Sequence, residues 1–172
     1  MTVPPNVAVL LLILLCTPPG PATAQVPETC ADLPPNLIVR DGYAPHVRRL
    51  IVRSPTIRAQ CRALAATPRA IVVVRLPQGP RLLDCRARAT IRRTAAGTIR
   101  AVIEIPPVSG DFAELLAHEL EHVMEQIDGI DLAARAGDGR SGVRRGRQGA
   151  FETDRAQRAG LAAAREVFMS AR

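Results

Sequence analysis

Three apolar runs between residues 70 and 105 constrain the fold more than any other feature of this chain. The first, "AIVVVRL" at 70–76, is rich in β-branched residues, which favours a buried strand. The other two, at 82–93 and 98–105, alternate apolar and polar residues with the period of half-buried strands. The sequence "TAAG" between them predicts a hairpin turn. We therefore expect a small antiparallel sheet.

Helical segments are predicted on both sides of this sheet. One covers roughly 44–52, and the next begins at Ser54, a good N-cap that is followed by proline. A long helix at about 111–128 and a last one at about 150–170 follow the strands. This order of elements predicts an α+β fold. A chain of 172 residues with 47% hydrophobic residues supplies one compact core, so we expect one domain at 25–172.

The first 24 residues resemble an export signal. The apolar run Val7–Cys16 is ten residues long, which is too short to span a bilayer. The helix-breaking "TPPGP" and the small residues Ala22 and Ala24 follow it, as a signal peptidase prefers. We expect cleavage before Gln25, a periplasmic or secreted protein, and no stable membrane insertion afterwards. An uncleaved membrane anchor is the alternative.

Cysteine content and charge limit the classes of partner. After cleavage the chain keeps Cys30, Cys61 and Cys85, so one disulfide forms at most, either Cys30–Cys61 or Cys61–Cys85. The net charge is +7, and all 23 basic residues are arginine. No aromatic platform or recognition motif accompanies these arginines, so we expect no specific nucleic-acid partner. The charge suits solubility or loose attraction to an anionic surface.

Two of the three histidines lie in "AHELEH" at 117–122, on the long helix. At 100° per residue, His118 and His122 share one face, and an apolar stripe of leucine, valine and isoleucine lies opposite. Spacing of i, i+4 lets two imidazoles bind one zinc ion, and Glu119 can reach a water on that ion as general base. A solvated acidic face is the alternative. The pattern predicts a Zn²⁺ site.

A zinc ion needs a third protein ligand, and three carboxylates are candidates. Asp128 lies six residues after His122, as the third ligand does in metzincins, but Glu125 continues the helix where those proteins have glycine. Glu125 is about 10 Å of helical rise from His118, so a supporting role suits it better. Glu152 precedes a stripe of small residues that should let the last helix approach the histidine helix closely. Glu152 is therefore the strongest candidate.

The motif "ELLAHELEH" with the later "FETDRAQRAG" resembles the gluzincin type of zincin metallopeptidase, over about residues 98–165. The resemblance implies a zincin-like fold, His118, His122 and Glu152 as zinc ligands, and Glu119 as catalytic base. It also implies that strand 98–105 is the edge along which an extended peptide lies. The expected activity is zinc-dependent hydrolysis of peptide bonds in the cell envelope or outside the cell, on a peptide or protein substrate.

The sequence departs from the gluzincin pattern in two ways. The aspartate that supports a ligating histidine in those enzymes is replaced by Ala156. For the group that stabilises the oxyanion, the chain offers only Tyr43, His46 or an arginine such as Arg155. A zincin-like binding or structural protein without catalysis is therefore the alternative function. The glycine-rich segment 129–149 is expected to be a mobile loop that either covers the cleft or is simply disordered.

Overall fold

The computed structural model describes residues 32–78, 86–107, 110–146 and 149–172. These ranges contain both helices and small sheets, which is compatible with the predicted α+β fold. In chain order the elements are β1 (Leu37–Val39), α1 (Ala44–Arg53), α2 (Pro55–Ala65), β2 (Ala70–Arg75), β3 (Arg88–Arg93), β4 (Ile99–Glu104), α3 (Phe112–Ile127), α4 (Leu132–Arg135), β5 (Val143–Arg145), β6 (Phe151–Thr153) and α5 (Asp154–Met169).

Four strands form a mixed sheet in the order β1-β2-β4-β3. β2 pairs in parallel with both β1 and β4, and only the hairpin β3–β4 is antiparallel. The prediction of an antiparallel sheet is therefore right for the hairpin and wrong for β2. Alternation of apolar residues predicts which side chains are buried. It does not predict which strands become neighbours, because that choice depends on contacts distant in sequence.

The local signals in the sequence are confirmed. Ser54 caps α2, and its Oγ accepts a hydrogen bond of 3.1 Å from the backbone N–H of Ile57. The β3–β4 turn closes through the N–H of Thr94, which donates to the carbonyl of Thr98 at 2.9 Å. Gly97 has φ +77°, a conformation that glycine adopts without strain.

Two segments predicted to be irregular contain regular structure. β1 lies in the proline-rich stretch 25–42, and α4 and β5 lie in the glycine-rich segment 129–149. β5 pairs with β6 as a two-stranded antiparallel sheet. Both strands are three residues long, and in β5 only Val143 is buried. Such short strands have too few apolar residues to show a period in the sequence.

One face of the four-stranded sheet packs against the helices and forms the core. Alternate residues of β2 and β4 contribute the sheet side of this core, with Val72, Val74, Ala101 and Ile103 at 0–1% exposure. On the other side lie buried apolar residues of α1, α2 and α3, which are Val47, Ile51, Ile57, Leu64, Leu116, Leu120 and Val123. The predicted apolar stripe of α3 is therefore confirmed. Packing of this stripe fixes α3 beneath the sheet.

The small-residue stripe of α5 packs against α3, as predicted. Ala156, Gly160 and Ala163 are buried at this interface. A Cβ at Gly160 would lie 2.9 Å from the carbonyl oxygen of Glu114 and 3.3 Å from the Cβ of His118. Glycine at position 160 therefore allows the two helices to approach at the level of His118.

Several predictions fall on residues outside the described ranges. These residues include the expected signal peptide at 1–24, and also Cys30 and Cys85. Cys61 is buried in the core at 1% exposure, and its pairing stays a prediction. Among the described residues, no helix is both long and apolar enough to cross a membrane.

Candidate metal centre

The helix α3 places two imidazoles side by side. The ring centroids of His118 and His122 are 4.9 Å apart, and the rings meet edge to face at 80°. The side chain of His122 is 9% exposed and that of His118 is 20% exposed. One turn of helix separates the two residues, so both rings point to the same side of α3. This arrangement matches the sequence prediction for the two histidines.

Glu152 lies beside the two histidines, but it belongs to a different element than predicted. It lies on β6, immediately before α5, and not on the last helix. Its Oε2 atom is 3.2 Å from Nε2 of His118. One ligand atom from each of His118, His122 and Glu152 lies within 4.8 Å of the other two. The fold therefore brings the three predicted metal ligands together.

The geometry of this cluster is one that could hold a metal ion. Ligand atoms at about 2.05 Å from a tetrahedral ion lie about 3.4 Å from one another, close to the His118–Glu152 distance. Two histidines and one glutamate also form the donor set of catalytic zinc sites that keep one position open. The side chain of Glu152 is 53% exposed, so the cluster is accessible from solvent.

Glu125 supports His122 from within α3. Its Oε2 atom is 2.9 Å from Nδ1 of His122, and its Oε1 accepts a hydrogen bond of 2.6 Å from the hydroxyl of Thr153. If the Glu125 carboxylate accepts from Nδ1 of His122, the Nε2 atom of that ring is left for an ion. Glu125 is 2% exposed. These contacts are the ones that the expected supporting role requires, and the role itself stays a prediction.

Glu119 is buried beside the two histidines. It is 7% exposed, and the backbone N–H of Ala89 in β3 donates a hydrogen bond to its carboxylate. Burial raises the pKa of Glu119, although the nearby imidazoles of His122 and His118 oppose this effect. A carboxylate with a raised pKa is a better proton acceptor and donor near neutral pH than an exposed one.

Among the described strands, β1 and β3 are the edges of the four-stranded sheet, and β3 lies next to Glu119. β4 lies between β2 and β3, so the prediction that strand 98–105 is the edge is wrong. Thr94 and Thr98 form a hydrogen-bonded pair at the end of the hairpin. Counting along the register from this pair, every second residue of β3 forms backbone hydrogen bonds with β4. Ala89 and Ile91 therefore direct their backbone groups away from β4. The edge strand beside the cluster is β3.

The pKa values of His118 and Glu152 reflect their contact. Burial alone would lower the pKa of His118, but the hydrogen bond with Glu152 and the charges of Glu119, Glu152 and Glu125 outweigh it and raise this pKa. The same hydrogen bond lowers the pKa of Glu152. Protonation of His118 and binding of a metal ion through its Nε2 atom therefore compete.

Asp128, the ligand candidate that the sequence disfavoured, is not part of the cluster. α3 continues to Ile127, as Glu125 led us to expect, and Asp128 forms its C-cap. The carboxylate of Asp128 accepts a hydrogen bond of 2.6 Å from Arg155. Arg155 also donates to the buried Glu121, which in turn accepts from Gln60. Asp128 therefore belongs to an ion-pair network among α2, α3 and α5.

None of the three predicted oxyanion-stabilising side chains is directed into the cluster. The hydroxyl of Tyr43 is engaged with the carbonyl groups of Ile105 and Pro106, at 3.0 and 2.8 Å. His46 packs near Phe112, and Arg155 is held by the network around Glu121. Residue type alone suggested these three side chains, and it does not indicate how far each one lies from the cluster.

Sequence reasoning missed two side chains of this region. Thr153 caps α5 through a hydrogen bond of 2.9 Å from Ala156 to its Oγ1, and it also binds Glu125. Arg144 lies directly opposite Glu152 in the β5–β6 pair, and its guanidinium forms an ion pair with Asp154. A threonine before a helical segment is a visible N-cap signal. The position of Arg144 depends on strand register, for which the sequence has no signal.

Comparison of the chain with protein-family models, with curated proteins and with solved structures finds no match. The function is therefore inferred from the chemistry of the residues around His118.

Proposed function

We propose that this chain is a zinc-dependent metallopeptidase that hydrolyses peptide bonds. The observation that supports the proposal most is the convergence of His118, His122 and Glu152, whose ligand atoms lie within 4.8 Å of one another. Two of these ligands come from α3 and the third from β6, more than one element away along the chain. The buried carboxylate of Glu119 beside them supplies the base that hydrolysis requires.

Each residue of the site has a role in this proposal. His118, His122 and Glu152 would hold zinc, which when bound would supply the Lewis acidity that lowers the pKa of a water molecule and polarises a carbonyl group. The Glu119 carboxylate takes the proton of the attacking water and then gives it to the leaving amine. Glu125 orients the imidazole of His122 through Nδ1, which leaves Nε2 available as a ligand atom.

The free edge of β3 is the proposed contact for an extended peptide. Ala89 and Ile91 direct backbone groups away from β4, and backbone hydrogen bonds to such an edge bind peptides without requiring a particular sequence. The N–H of Ala89 already donates to Glu119, so the edge and the proposed base are in direct contact. A substrate aligned on β3 would therefore lie beside the proposed base.

A metal-binding protein without catalysis is the second candidate function. It is favoured because, among the described residues, none of the expected oxyanion donors Tyr43, His46 and Arg155 is directed at the cluster. Removing such a donor in characterised hydrolases reduces the turnover rate by about 10²–10³-fold. Either function is compatible with the proposed export of the protein, which depends on the signal at 1–24.

Substitution of Glu119 tests the proposal. The purified protein should bind zinc in a one-to-one ratio, measured by metal analysis, and should cleave casein or a peptide library. Glu119→Gln should keep zinc but reduce hydrolysis by about 10²–10⁴-fold, because the general base is lost. The matched control is Glu114→Gln on the same helix, where the carboxylate contacts Arg86 and not the cluster.

The outcomes separate the two candidate functions. Full hydrolytic activity in zinc-loaded Glu119→Gln would show that Glu119 is not the base. Stoichiometric zinc without cleavage of any peptide would favour the binding protein. A wild-type chain that binds zinc no better than His118→Ala would contradict both proposals.

A further inference from the structure

The face of the four-stranded sheet that is turned away from the helices is rich in arginine. Alternate residues of β2, β4 and β3 lie on this face, and strand register places them in rows across the sheet. The rows are Ile71–Arg100–Arg92, Val73–Val102–Thr90 and Arg75–Glu104–Arg88. Four arginines and one glutamate thus share this face, which we call the outer sheet face.

Glu104 neutralises only one end of the outer sheet face. Its Oε1 accepts from Arg75 at 3.1 Å and from the backbone N–H of Gln78 at 3.3 Å, and its Oε2 accepts from Arg88 at 3.1 Å. The carboxylate is 6% exposed. One negative charge is thus shared between two guanidinium groups, and none is left for the other two arginines.

Arg92 and Arg100 lie directly opposite each other on β3 and β4. Both residues are exposed, and neither forms an ion pair with any of the described residues. Like charges that face each other across neighbouring strands destabilise a sheet. The two arginines together therefore lack the two negative charges that would offset their repulsion.

A concavity lies beside this pair. It has a volume of about 300 Å³ and is lined by Arg75, Thr90, Arg92, Arg100, Val102 and Glu104. Ligand pockets in proteins begin at about this volume. Val102 and Thr90 form part of its lining between the charged residues. The concavity is on the opposite side of the sheet from α3, so it is separate from the candidate metal centre.

We propose that the outer sheet face binds a phosphate group of a small ligand in this concavity, between Arg92 and Arg100. Two guanidinium groups offer two planar forks of N–H donors and two positive charges. A phosphate dianion matches both the charge and the number of acceptor oxygens, whereas one bidentate arginine satisfies a carboxylate. The hydroxyl of Thr90 supplies a further donor at the same place.

Calorimetric titration with inorganic pyrophosphate tests this site. The titration is done in EDTA, so that binding to a metal ion does not contribute. Arg92→Gln/Arg100→Gln should weaken the affinity at least about tenfold, because hydrogen bonds to both charged groups are lost. The matched control is Arg158→Gln/Arg165→Gln, which removes two exposed arginines from α5 and should change the affinity less than about twofold. Acetate should bind at least about tenfold more weakly than pyrophosphate.

Three results would overturn the proposal. The first is that pyrophosphate fails to bind to the wild-type protein. The second is that both double variants lose affinity equally, which would indicate general attraction by a basic surface. The third is that vesicles containing phosphatidic acid or duplex DNA bind to the outer sheet face and that pyrophosphate does not displace them. Because both double variants change exposed side chains, circular dichroism should show wild-type folding in each.

Discussion

Glu125 joins two of the elements that form the candidate metal centre. One carboxylate oxygen contacts His122 on α3, and the other accepts from Thr153, the neighbour of Glu152. This support of His122 thus comes from a residue of α3 itself. A buried carboxylate with both oxygens engaged is a rigid link between the elements.

Replacing Glu125 should weaken zinc binding without removing a ligand. We expect Glu125→Ala to reduce zinc affinity by about 10–100-fold, measured by competition with a chelator, because His122 loses the group that orients it. Glu125→Gln should recover part of this affinity, since the amide oxygen still accepts from Nδ1 of His122. Nitrogen NMR should show the Nδ1–H tautomer of His122 in the wild type and a mixture in Glu125→Ala. Unchanged affinity in Glu125→Ala would exclude the positioning role.

At the residue scale, the sequence predicted the side chains that lie close together along one helix. His118, Glu119, His122 and Glu125 all follow from helical spacing, because a regular helix determines its own geometry. Glu152 was inferred from the small residues that follow it. The roles proposed for Tyr43, His46 and Arg155 failed since nothing local indicates how far each lies from α3.

Close packing of α3 and α5 is the element-scale feature that shapes the centre. The missing side chain of Gly160 lets α5 approach the carbonyl of Glu114 and the Cβ of His118. Helix formation alone would favour alanine over glycine at this position by about 1 kcal/mol. Glycine is therefore explained by the interface and not by helical propensity.

Gly160→Ala should destabilise the protein although alanine is the better helix former. The new methyl group meets a backbone carbonyl at 2.9 Å, so the helices must move apart. We expect the free energy of unfolding to fall by about 1–3 kcal/mol in urea denaturation. Zinc affinity should fall too, because His118 moves with α3. As the control, Gly110→Ala adds a methyl group where no atom lies within 4 Å and should leave both quantities unchanged.

Glu166 connects the end of α5 to the start of α2. Its carboxylate accepts hydrogen bonds from Ser54 Oγ at 2.5 Å and from the backbone N–H and hydroxyl of Thr56 at 3.0 and 2.8 Å. Burial alone would raise the pKa of Glu166, but these hydrogen bonds outweigh it and lower the pKa. The stabilisation is therefore complete above the unfolded pKa of about 4.5 and is lost as the pH falls through the folded value.

Glu166→Gln should show this linkage in the free energy of unfolding. At neutral pH we expect a loss of about 1–2 kcal/mol, because charged hydrogen bonds at the start of α2 become neutral ones. The difference from the wild type should shrink as the pH falls from about 4.5 through the lower pKa of Glu166 in the folded protein, where the wild type becomes protonated as well. Denaturation curves between neutral and acidic pH measure it. A difference that stays constant with pH would contradict the role of the ionised carboxylate.

At the element scale, helices were predicted better than sheet topology. α1, α2, α3 and the hairpin β3–β4 follow from caps, apolar period and turn residues, which act within a few positions. β1 and β5 were missed because three-residue strands contain no period. The parallel pairing of β2 with β4 was missed because β3, which follows β2 in the chain, lies at the far edge.

Zinc should connect distant parts of the whole molecule. The proposed ligands tie α3, at the centre of the core, to the small β5–β6 hairpin. A free zinc concentration of about 100 times the dissociation constant should raise the free energy of unfolding by about 2.7 kcal/mol. A chelator should reverse this gain, and His118→Ala should lack it.

Hydrogen exchange locates the effect of zinc in the molecule. Protection of backbone amides in β5 and β6 should increase with zinc, since these strands have little buried surface of their own. The core strands β2 and β4 should change least. If zinc raised stability equally in the wild type and in His118→Ala, the ion would be bound at another site.

The sequence by itself determined the long helices, the β3–β4 hairpin and the face of α3 on which both histidines lie. Local forces act there, since caps, turns and apolar periods depend on neighbouring residues. Only the tertiary structure decided that β3 is an edge strand among the described strands, that Glu152 reaches the histidines from β6, and that Arg92 faces Arg100 on the outer sheet face. These features depend on strand order, register and helix approach, which arise from contacts between segments far apart in the chain.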